Sequence, residues 1–231
     1  MIWYFLVGYM DVLPKINILY EDNHLLVVEK PINMPVCEDA SMDIDLLNVL
    51  KSYLKEKYQK PGNVYLGLVH RLDRPVGGVM VFAKTSKAAS RLSKQVMEHK
   101  LEKTYLAVVC GKTLKSGECF DYLVKDKKQN HSYVTDKKHG KEAKLTYQRL
   151  DYHNRFSLIE IYLETGRSHQ IRVQFSSRGF PLVGDAKYNP NYDGKTNIAL
   201  FAKKLSFYHP ITKEKLSFEL ELPKRYPFNL F

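Results

Sequence analysis

Residues 67–85 read GLVHRLDRPVGGVMVFAKT, and this stretch sets the framework for interpreting the rest of the chain. Apolar runs at Val64–Val69 and Val79–Ala83 predict two buried strands, and a Gly-Gly pair breaks the pattern just before the second run. Two arginines flank Asp73 in the loop between them, and their charges favour the ionised carboxylate. Loops at strand ends are common positions for catalytic groups. A purely structural ion-pair loop has the same pattern, so this stretch alone leaves both interpretations open.

Outward from this stretch, strands outnumber helices. Further strands are predicted at Ile16–Tyr20, Leu25–Glu29, Tyr105–Val109, Leu145–Leu150, Phe156–Leu163, Ile198–Phe207 and Lys215–Leu220. Three helices are predicted: one capped by Asp43 or Asp45, one capped by Ser86, and one over Ser168–Arg178 that Gly179 closes. Many strands are neighbours in sequence, which indicates an α+β fold with a mixed, largely antiparallel central sheet.

The composition indicates a globular protein with a polyanionic partner. The 231 residues include 36 Lys and Arg against 25 Asp and Glu, a net charge of +11, and 44% are hydrophobic. No basic amphipathic helix or lipidation signal favours a membrane surface, so nucleic acid is the leading partner class. A charge that only keeps the protein soluble is the alternative. We expect one domain over residues 18–231, preceded by a partly disordered extension at residues 1–17.

Several function classes are disfavoured by what the sequence lacks. Three cysteines without a C-x-x-C pair argue against a disulfide framework and favour a reducing compartment, here the cytoplasm. The opening MIWYFLVGYM is too short to span a bilayer and has no signal-peptide features, although Met10 is an alternative start. The G-K-T at 111–113 lacks the glycine that a phosphate-binding loop needs. No residue set matches a zinc site or a Ser–His–Asp triad.

A second cluster of polar residues stands at a predicted strand-to-helix junction. It reads TGRSHQIR over residues 165–172 and brings Arg167, His169, Gln170 and Arg172 together. Helix N-termini attract anions, and arginines fork around carboxylates or phosphates. An ordinary capped helix start with exposed charges would account for the same residues.

Six blocks of sequence stand in one order along almost the whole chain. They are ILYEDNHLLVVEKPINMPV from Ile18, GLVHRLDRPVGGVMVFAKT from Gly67, KTYLAVVCG from Lys103, LETGRSHQIRVQF from Leu163, PLVGDAKY from Pro181 and ALFAKKLSFYHPIT from Ala199. Any single block is unspecific, but the combination is highly specific, and through it the chain resembles the RluA-type RNA pseudouridine synthases.

The resemblance implies a role for four residues. Asp73 matches the catalytic aspartate of the family, and Arg71 matches the arginine that enters the RNA stack where the target nucleotide flips out. Tyr105 matches the aromatic residue that packs on the target uracil and helps to hold the aspartate. Arg167 matches the basic residue that pairs with the aspartate, so Arg71, Tyr105 and Arg167 are expected to bind substrate.

The resemblance also implies the pseudouridine synthase fold, a tRNA or rRNA substrate, no cofactor and no metal. We expect a monomer, in a short form of the family without the N-terminal RNA-binding domain that many relatives carry. Three reacting positions for the aspartate stay open: C1′, C6 and the C2′ proton. Val76 and Gly77 replace a Thr and a Ser that many members carry, which bears on target choice more than on activity.

The segment Lys125–Lys144 has seven lysines against three acidic residues. We expect an exposed basic hairpin or loop that grips RNA phosphates, with a merely solvated charged loop as the alternative. Two further functions stay open at this stage: a non-catalytic RNA-binding protein on the same fold, and a metal-dependent nuclease. The set Asp73, Tyr105 and Arg167 argues against the first, and the lack of carboxylate clusters against the second.

Overall fold

The structure is a computed structural model that describes residues 14–231. The predicted extension at residues 1–17 therefore falls mostly outside the described residues, as do both candidate start methionines. The domain boundary predicted at residue 18 lies inside a strand that begins at Asn17.

The elements follow one another as a run of strands interrupted by three helices. The strands are β1 (Asn17–Glu21), β2 (Leu25–Lys30), β3 (Gly67–Leu68), β4 (Gly77–Ala83), β5 (Glu102–Cys110), β6 (Ser116–Asp126), β7 (His131–Thr135), β8 (Lys141–His153), β9 (Phe156–Leu163), β10 (Leu200–Tyr208) and β11 (Lys215–Glu219). The helices are α1 (Leu46–Lys57), α2 (Ser86–Met97) and α3 (Gln170–Ser176), and a short 3₁₀ turn covers Phe228–Leu230.

All strands belong to one 11-stranded sheet with the order β1-β2-β4-β10-β5-β9-β8-β6-β7, to which β3 and β11 add at β4 and β10. Every pair is antiparallel except β4 with β10, which run parallel over two residue pairs. The predicted α+β class with a mixed, largely antiparallel sheet is confirmed. Strands β8 and β9 pair from Leu145 opposite Leu163 to the hairpin turn, and they contain the predicted strands Leu145–Leu150 and Phe156–Leu163.

The sheet is covered on both faces. Helices α1 and α3 pack on one face, where Leu50 and Phe175 join the largest apolar cluster. Helix α2 packs on the other face through Ala88 and Leu92. Within residues 14–231, no helix has the length and apolar content to cross a membrane.

The helix boundaries match the sequence prediction more closely at α1 than at α2 and α3. Asp45 caps α1 by accepting the N–H of Asn48 at 3.0 Å, as one of the two predicted candidates. Helix α2 is capped by Thr85, one residue before the predicted Ser86, because the Thr85 hydroxyl accepts the N–H of Ala88. Helix α3 begins at Gln170, since His169 takes a left-handed conformation with φ of 54° that ends the preceding loop.

The strand predicted over Val64–Val69 is too long, because only its residues Gly67 and Leu68, which form β3, pair with β4. The same side of β4 is taken by β10 at its first two residues, which leaves a gap in the middle. In that gap the N–H of Val81 donates to Nε2 of His70 at 3.1 Å, so a side chain replaces the missing strand. The chain leaves the sheet at this gap and forms the loop that carries Asp73.

A glycine allows β10 to approach β4 so closely. Gly78 has φ of 123°, and a Cβ atom there would lie 2.2 Å from the carbonyl oxygen of Ala202. Only glycine meets both conditions, because other residues clash and rarely adopt this φ. The Gly-Gly pair predicted to break the pattern therefore sets the start of β4.

Candidate active site

The Asp73 loop is short and anchored at both ends. The N–H of Val76 donates to the carbonyl oxygen of Asp73 at 2.9 Å, which closes a tight turn before β4. His70 holds the other end through its bond to β4, and burial lowers the pKa of its ring to about 3, with the charge of Lys103 adding to the effect. The Asp73 side chain is 29% exposed, so its carboxylate is fixed in place yet open to a substrate.

Lys30 lies buried beneath this loop at the end of β2, with 1% of its surface exposed. Its Nζ donates to the carbonyl oxygens of Pro31, Arg74 and Val76 at 2.8–2.9 Å, so all three ammonium protons have acceptors. Burial lowers the pKa of Lys30 to about 7, against the charge of Asp73, which raises it. Lys30 therefore ties the backbone after Asp73 to the core of the sheet.

Arg172 on α3 connects two carboxylates. Its Nε and Nη2 donate to Asp185 at 2.8 and 2.6 Å, and its Nη1 donates to Asp73 Oδ2 at 3.1 Å. Burial opposes the charge of Arg172, but the bonds and charges of the two aspartates outweigh it and raise the pKa of the guanidinium. Asp185 is fully buried and also accepts the N–H groups of Lys187 and Tyr188. The Asp73 carboxylate is thus held by a cation that is itself held in the interior.

His169 faces Asp73 from the start of α3, with its Nε2 atom 3.8 Å from Asp73 Oδ2. Its Nδ1 atom lies 2.8 Å from the hydroxyl of Tyr188, which accepts the N–H of Ser132. The Tyr188 proton is then free to bond Nδ1, which leaves the ring proton on Nε2, toward Asp73. Burial lowers the pKa of His169 to about 4, although the charge of Asp73 acts in the opposite direction, so the ring is neutral at pH 7.

Tyr105 lies on β5, buried in the same apolar cluster as the residues on either side of the Asp73 turn. Burial raises the pKa of its hydroxyl, and the charge of Asp73 raises it further. The ring is therefore a neutral aromatic group within the electric field of the carboxylate. Its location agrees with the expectation that Tyr105 is a neighbour of Asp73.

The predicted pairing of Arg167 with Asp73 is wrong, because Arg172 occupies that position. Arg167 is exposed, and its Nε donates to the carbonyl oxygen of Glu142 on β8 at 2.7 Å. The buried side chain of Gln170 sets this geometry, since its Oε1 accepts the N–H of Arg167 at 3.0 Å and draws the loop toward α3. Arg71 is also exposed, on the loop of Asp73. Both guanidinium groups are available to a ligand.

Three residues of the site were missed by sequence reasoning, which left Lys30 and Asp185 without a role and gave the aspartate's partner as Arg167. A signal was present in each case. Lys30 ends the apolar run LLVVEK, Asp185 follows the apolar PLVG, and Arg172 stands between Ile171 and Val173 on a short helix. Charges inside apolar runs are buried only when paired or fully hydrogen-bonded, so each pointed to an internal partner.

Within the described residues, no group of three or more His, Cys, Asp or Glu side chains is arranged to hold a metal ion. The acidic groups at the site are Asp73 and Asp185, and Arg172 stands between them.

Comparison with known proteins identifies the family. The model of the RNA pseudouridylate synthase family matches residues 24–177, which include the Asp73 loop and α3. An RNA pseudouridine synthase of Aquifex aeolicus is 35% identical over 233 residues, covering 94% of this chain and 73% of that protein. The ribosomal large subunit pseudouridine synthase D of Zymomonas mobilis is also 35% identical, covering 90% of this chain and 70% of its own length.

Solved structures agree on the fold. Human RNA pseudouridylate synthase domain containing 4 superposes with a TM-score of 0.78 at 22% identity, covering 93% of this chain and 91% of that one. Human RNA pseudouridylate synthase domain containing 1 gives 0.74 at 21% identity, covering 91% and 85%. The fold is that of these pseudouridylate synthase structures. The chain belongs to the RNA pseudouridylate synthase family, which confirms the resemblance and the enzyme class predicted from its sequence.

Proposed function

We propose that this synthase converts specific uridines of tRNA or rRNA to pseudouridine with Asp73 as the catalytic nucleophile or base, and without a cofactor. The observation that carries the proposal is the setting of Asp73. Its carboxylate is partly exposed, while Arg172 holds one of its oxygens from the interior at 3.1 Å. A carboxylate held in this way is already oriented before a ribose binds beside it.

The reaction makes few chemical demands beyond this group. The N1–C1′ bond breaks, the base rotates, a C5–C1′ bond forms, and the C5 proton is exchanged for one on N1, so substrate and product are isomers. No electrons and no external group enter, which is why no cofactor is proposed. A carboxylate serves either as a nucleophile at C1′ or C6 or as a base toward the C2′ proton.

The three other predicted residues fit the handling of a flipped nucleotide. Arg71 is exposed on the Asp73 loop, where it would fill the place that the target base vacates in the RNA stack. The Tyr105 ring would pack on the uracil within reach of Asp73. Arg167 is exposed beside α3 and would bind an RNA phosphate rather than the aspartate.

The RNA class is supported by charge and by the relatives. The net charge of +11 suits a polyanion. The relatives from Zymomonas mobilis and Pseudomonas aeruginosa are named as synthases of the ribosomal large subunit. We propose rRNA or tRNA as the substrate, bound by a monomer in the cytoplasm.

The test is turnover of unmodified tRNA and rRNA transcripts by wild type and by Asp73→Asn, with pseudouridine mapped in the product. The amide keeps the shape but loses the charge and basicity, so we expect loss of turnover by at least about 10³-fold with RNA binding kept. Asp151→Asn, an exposed aspartate on β8, is the matched control and should keep full activity. Near-normal turnover by Asp73→Asn would remove Asp73 from the mechanism.

Two further measurements separate the finer parts of the proposal. Turnover that persists in the presence of a chelator supports a metal-free reaction, and turnover that a chelator abolishes contradicts it. RNA with deuterium at C2′ of the target separates the two roles of Asp73. A primary isotope effect indicates abstraction of the C2′ proton, and its absence indicates attack at carbon.

A further inference from the structure

A continuous row of aromatic rings leads from the active site to the exposed edge of the sheet. The guanidinium carbon of Arg172, which holds Asp73, lies 5.1 Å from the centre of the Tyr188 ring. The His131 ring lies 4.2 Å from Tyr188, and the Tyr133 ring lies 4.4 Å from His131. His131 and Tyr133 are two residues apart on β7, so they share one face of the edge strand.

The outermost ring, Tyr133, is exposed and held in place. It is 42% exposed, although a tyrosine at a sheet edge could lie flat against its neighbours. Its hydroxyl donates to Oε1 of Gln129 at 2.8 Å, and the N–H of Gln129 is fixed in turn by Asp126 at 3.1 Å. With His131 against one side of the ring and the turn holding its hydroxyl, Tyr133 presents aromatic surface at little further entropic cost.

The row is anchored to the active site by backbone contacts as well. The N–H of Ser132 on β7 donates to the Tyr188 hydroxyl, and Nζ of Lys187 donates to the carbonyl oxygen of Asn130. The start of β7 therefore moves together with the loop of residues 185–188 that contacts Arg172. A ligand that is bound by Tyr133 is placed in a fixed relation to Asp73.

The charge around Tyr133 differs from that of a cleft of about 920 Å³ beside Lys144 and Lys203. Those two lysines are neutralised by Glu118 and Glu164 and by Glu160 and Glu219, at 3.0–3.6 Å. The hairpin lysines next to Tyr133 are exposed, and within residues 14–231 none of their ammonium groups has a carboxylate within 4 Å. These lysines are Lys127 and Lys128, in the turn whose Gln129 holds the Tyr133 hydroxyl. The hairpin thus offers unpaired positive charge beside an aromatic face.

We propose that Tyr133, supported by His131, is a stacking site for the base of an RNA nucleotide that flanks the target uridine. Aromatic rings interleaved with unpaired cations are the combination that binds unpaired nucleotides, because the ring takes the base and the cations take the phosphates. The inference rests on the proposed function for its ligand, and it adds a second, non-catalytic contact that fixes which nucleotide reaches Asp73.

The first test is equilibrium binding across a salt series. The probe is a fluorescein-labelled stem-loop that contains the uridine modified by wild type, or a ten-nucleotide oligouridine should wild type modify none. Tyr133→Ala should weaken RNA binding about five- to tenfold, which is the lower end of the range for loss of one stacked base. The dependence of the affinity on salt concentration should not change. Tyr133→Phe keeps the ring and loses only the bond to Gln129, so it should bind at most about twofold more weakly than wild type and more tightly than Tyr133→Ala.

Tyr152→Ala is the matched control. Tyr152 is a 39% exposed tyrosine on β8 with a lysine 5.1 Å from its ring centre, so it has a similar setting away from the aromatic row. It should leave binding unchanged. Lys127→Ala with Lys128→Ala should instead lower the salt slope, which separates phosphate contacts from stacking.

The second test identifies the base. Abasic sites are introduced one at a time at the three nucleotides on each side of the target. At one position, loss of the base should weaken binding to wild type about five- to tenfold. For Tyr133→Ala, loss of the same base should leave the affinity unchanged from that of the intact RNA. Additive losses at every position, or wild-type affinity of Tyr133→Ala, would overturn the stacking proposal. Absence of pseudouridine with wild type would instead contradict the proposed function, whatever the binding of Tyr133→Ala.

Discussion

Replacement of Arg172 should destabilise the protein far more than replacement of Arg167, although both residues belong to the TGRSHQIR cluster. Arg172→Ala removes the only cation bonded to the fully buried Asp185 among the described residues, and with it the bond to Asp73. Loss of one partner of a buried ion pair costs about 3–5 kcal/mol. Arg167→Ala removes one exposed bond to a carbonyl oxygen, which is worth about 1 kcal/mol or less.

Urea unfolding followed by circular dichroism measures the free energy of unfolding, and equal slopes with denaturant confirm that the two-state comparison is valid. Arg172→Lys keeps the charge without the fork, so it should lose less stability than Arg172→Ala and provides a folded variant for kinetics. A misplaced Asp73 carboxylate should lower kcat of Arg172→Lys about 100-fold with little change in KM. Arg167→Ala should raise KM and leave kcat nearly unchanged.

A stability loss below about 1 kcal/mol in Arg172→Ala would refute the reasoning, because it would mean that Asp185 finds another partner or takes up a proton at no cost. An equal loss in Arg167→Ala would refute the assignment of the buried pair to Arg172. A kcat effect in Arg167→Ala as large as that in Arg172→Lys would show that Arg167 acts on the aspartate after all.

Three further changes test the parts around this pair. Lys30→Met should cost about 3 kcal/mol or more and lower kcat, since three carbonyl oxygens around the Asp73 turn lose their donor; urea unfolding and turnover check this. The pKa of His169 is about 4 in the folded protein and 6.5 in the unfolded chain. The neutral ring therefore stabilises the fold above pH 6.5, and this stabilisation is lost as the pH falls toward 4. Wild type should therefore lose about 3 kcal/mol more than His169→Asn between pH 7 and 4, measured by unfolding at each pH. Four hairpin lysines are exposed: Lys127, Lys128, Lys137 and Lys138. Their simultaneous replacement by Ala should raise KM and flatten the salt dependence of RNA binding. An unchanged salt dependence would contradict RNA contact by the hairpin.

The fold was predictable wherever an element is determined by residues close together in the sequence. Alternating and continuous apolar runs predicted most strands of the sheet within one to three residues, and Asp45 was identifiable as a cap because its bond is to a residue three positions on. The strand over Val64–Val69 was overestimated for the opposite reason. Its length is limited by β4, which ends at Ala83, the partner of Gly67, so Val64–Leu66 have no residue of β4 left to pair with.

The predictions for the candidate site rest on the same kind of local signal. Asp73, Arg71, Tyr105 and Arg167 came from motifs matched one by one, and the structure brings Tyr105 and Asp73 together. The motif does not state which arginine turns inward. His169 in its left-handed conformation and the bond from the Arg167 N–H to Gln170 Oε1 turn the loop, so that Arg167 lies outside and Arg172, five residues later on α3, lies inside.

What holds the Asp73 carboxylate is therefore a set of contacts between distant parts of the chain. Lys30 meets the Asp73 turn across 44 and 46 residues, and Arg172 meets Asp73 across 99. Each partner is a charge that would be costly to bury alone, and each becomes stable only when the sheet brings the others to it. The gap beside β4 that His70 fills is where the chain leaves the sheet to form the Asp73 loop. Because the same groups satisfy buried charges and fix Asp73, a variant that loosens the site should also lose stability, whereas exposed residues such as Arg71 and Arg167 should affect RNA binding alone.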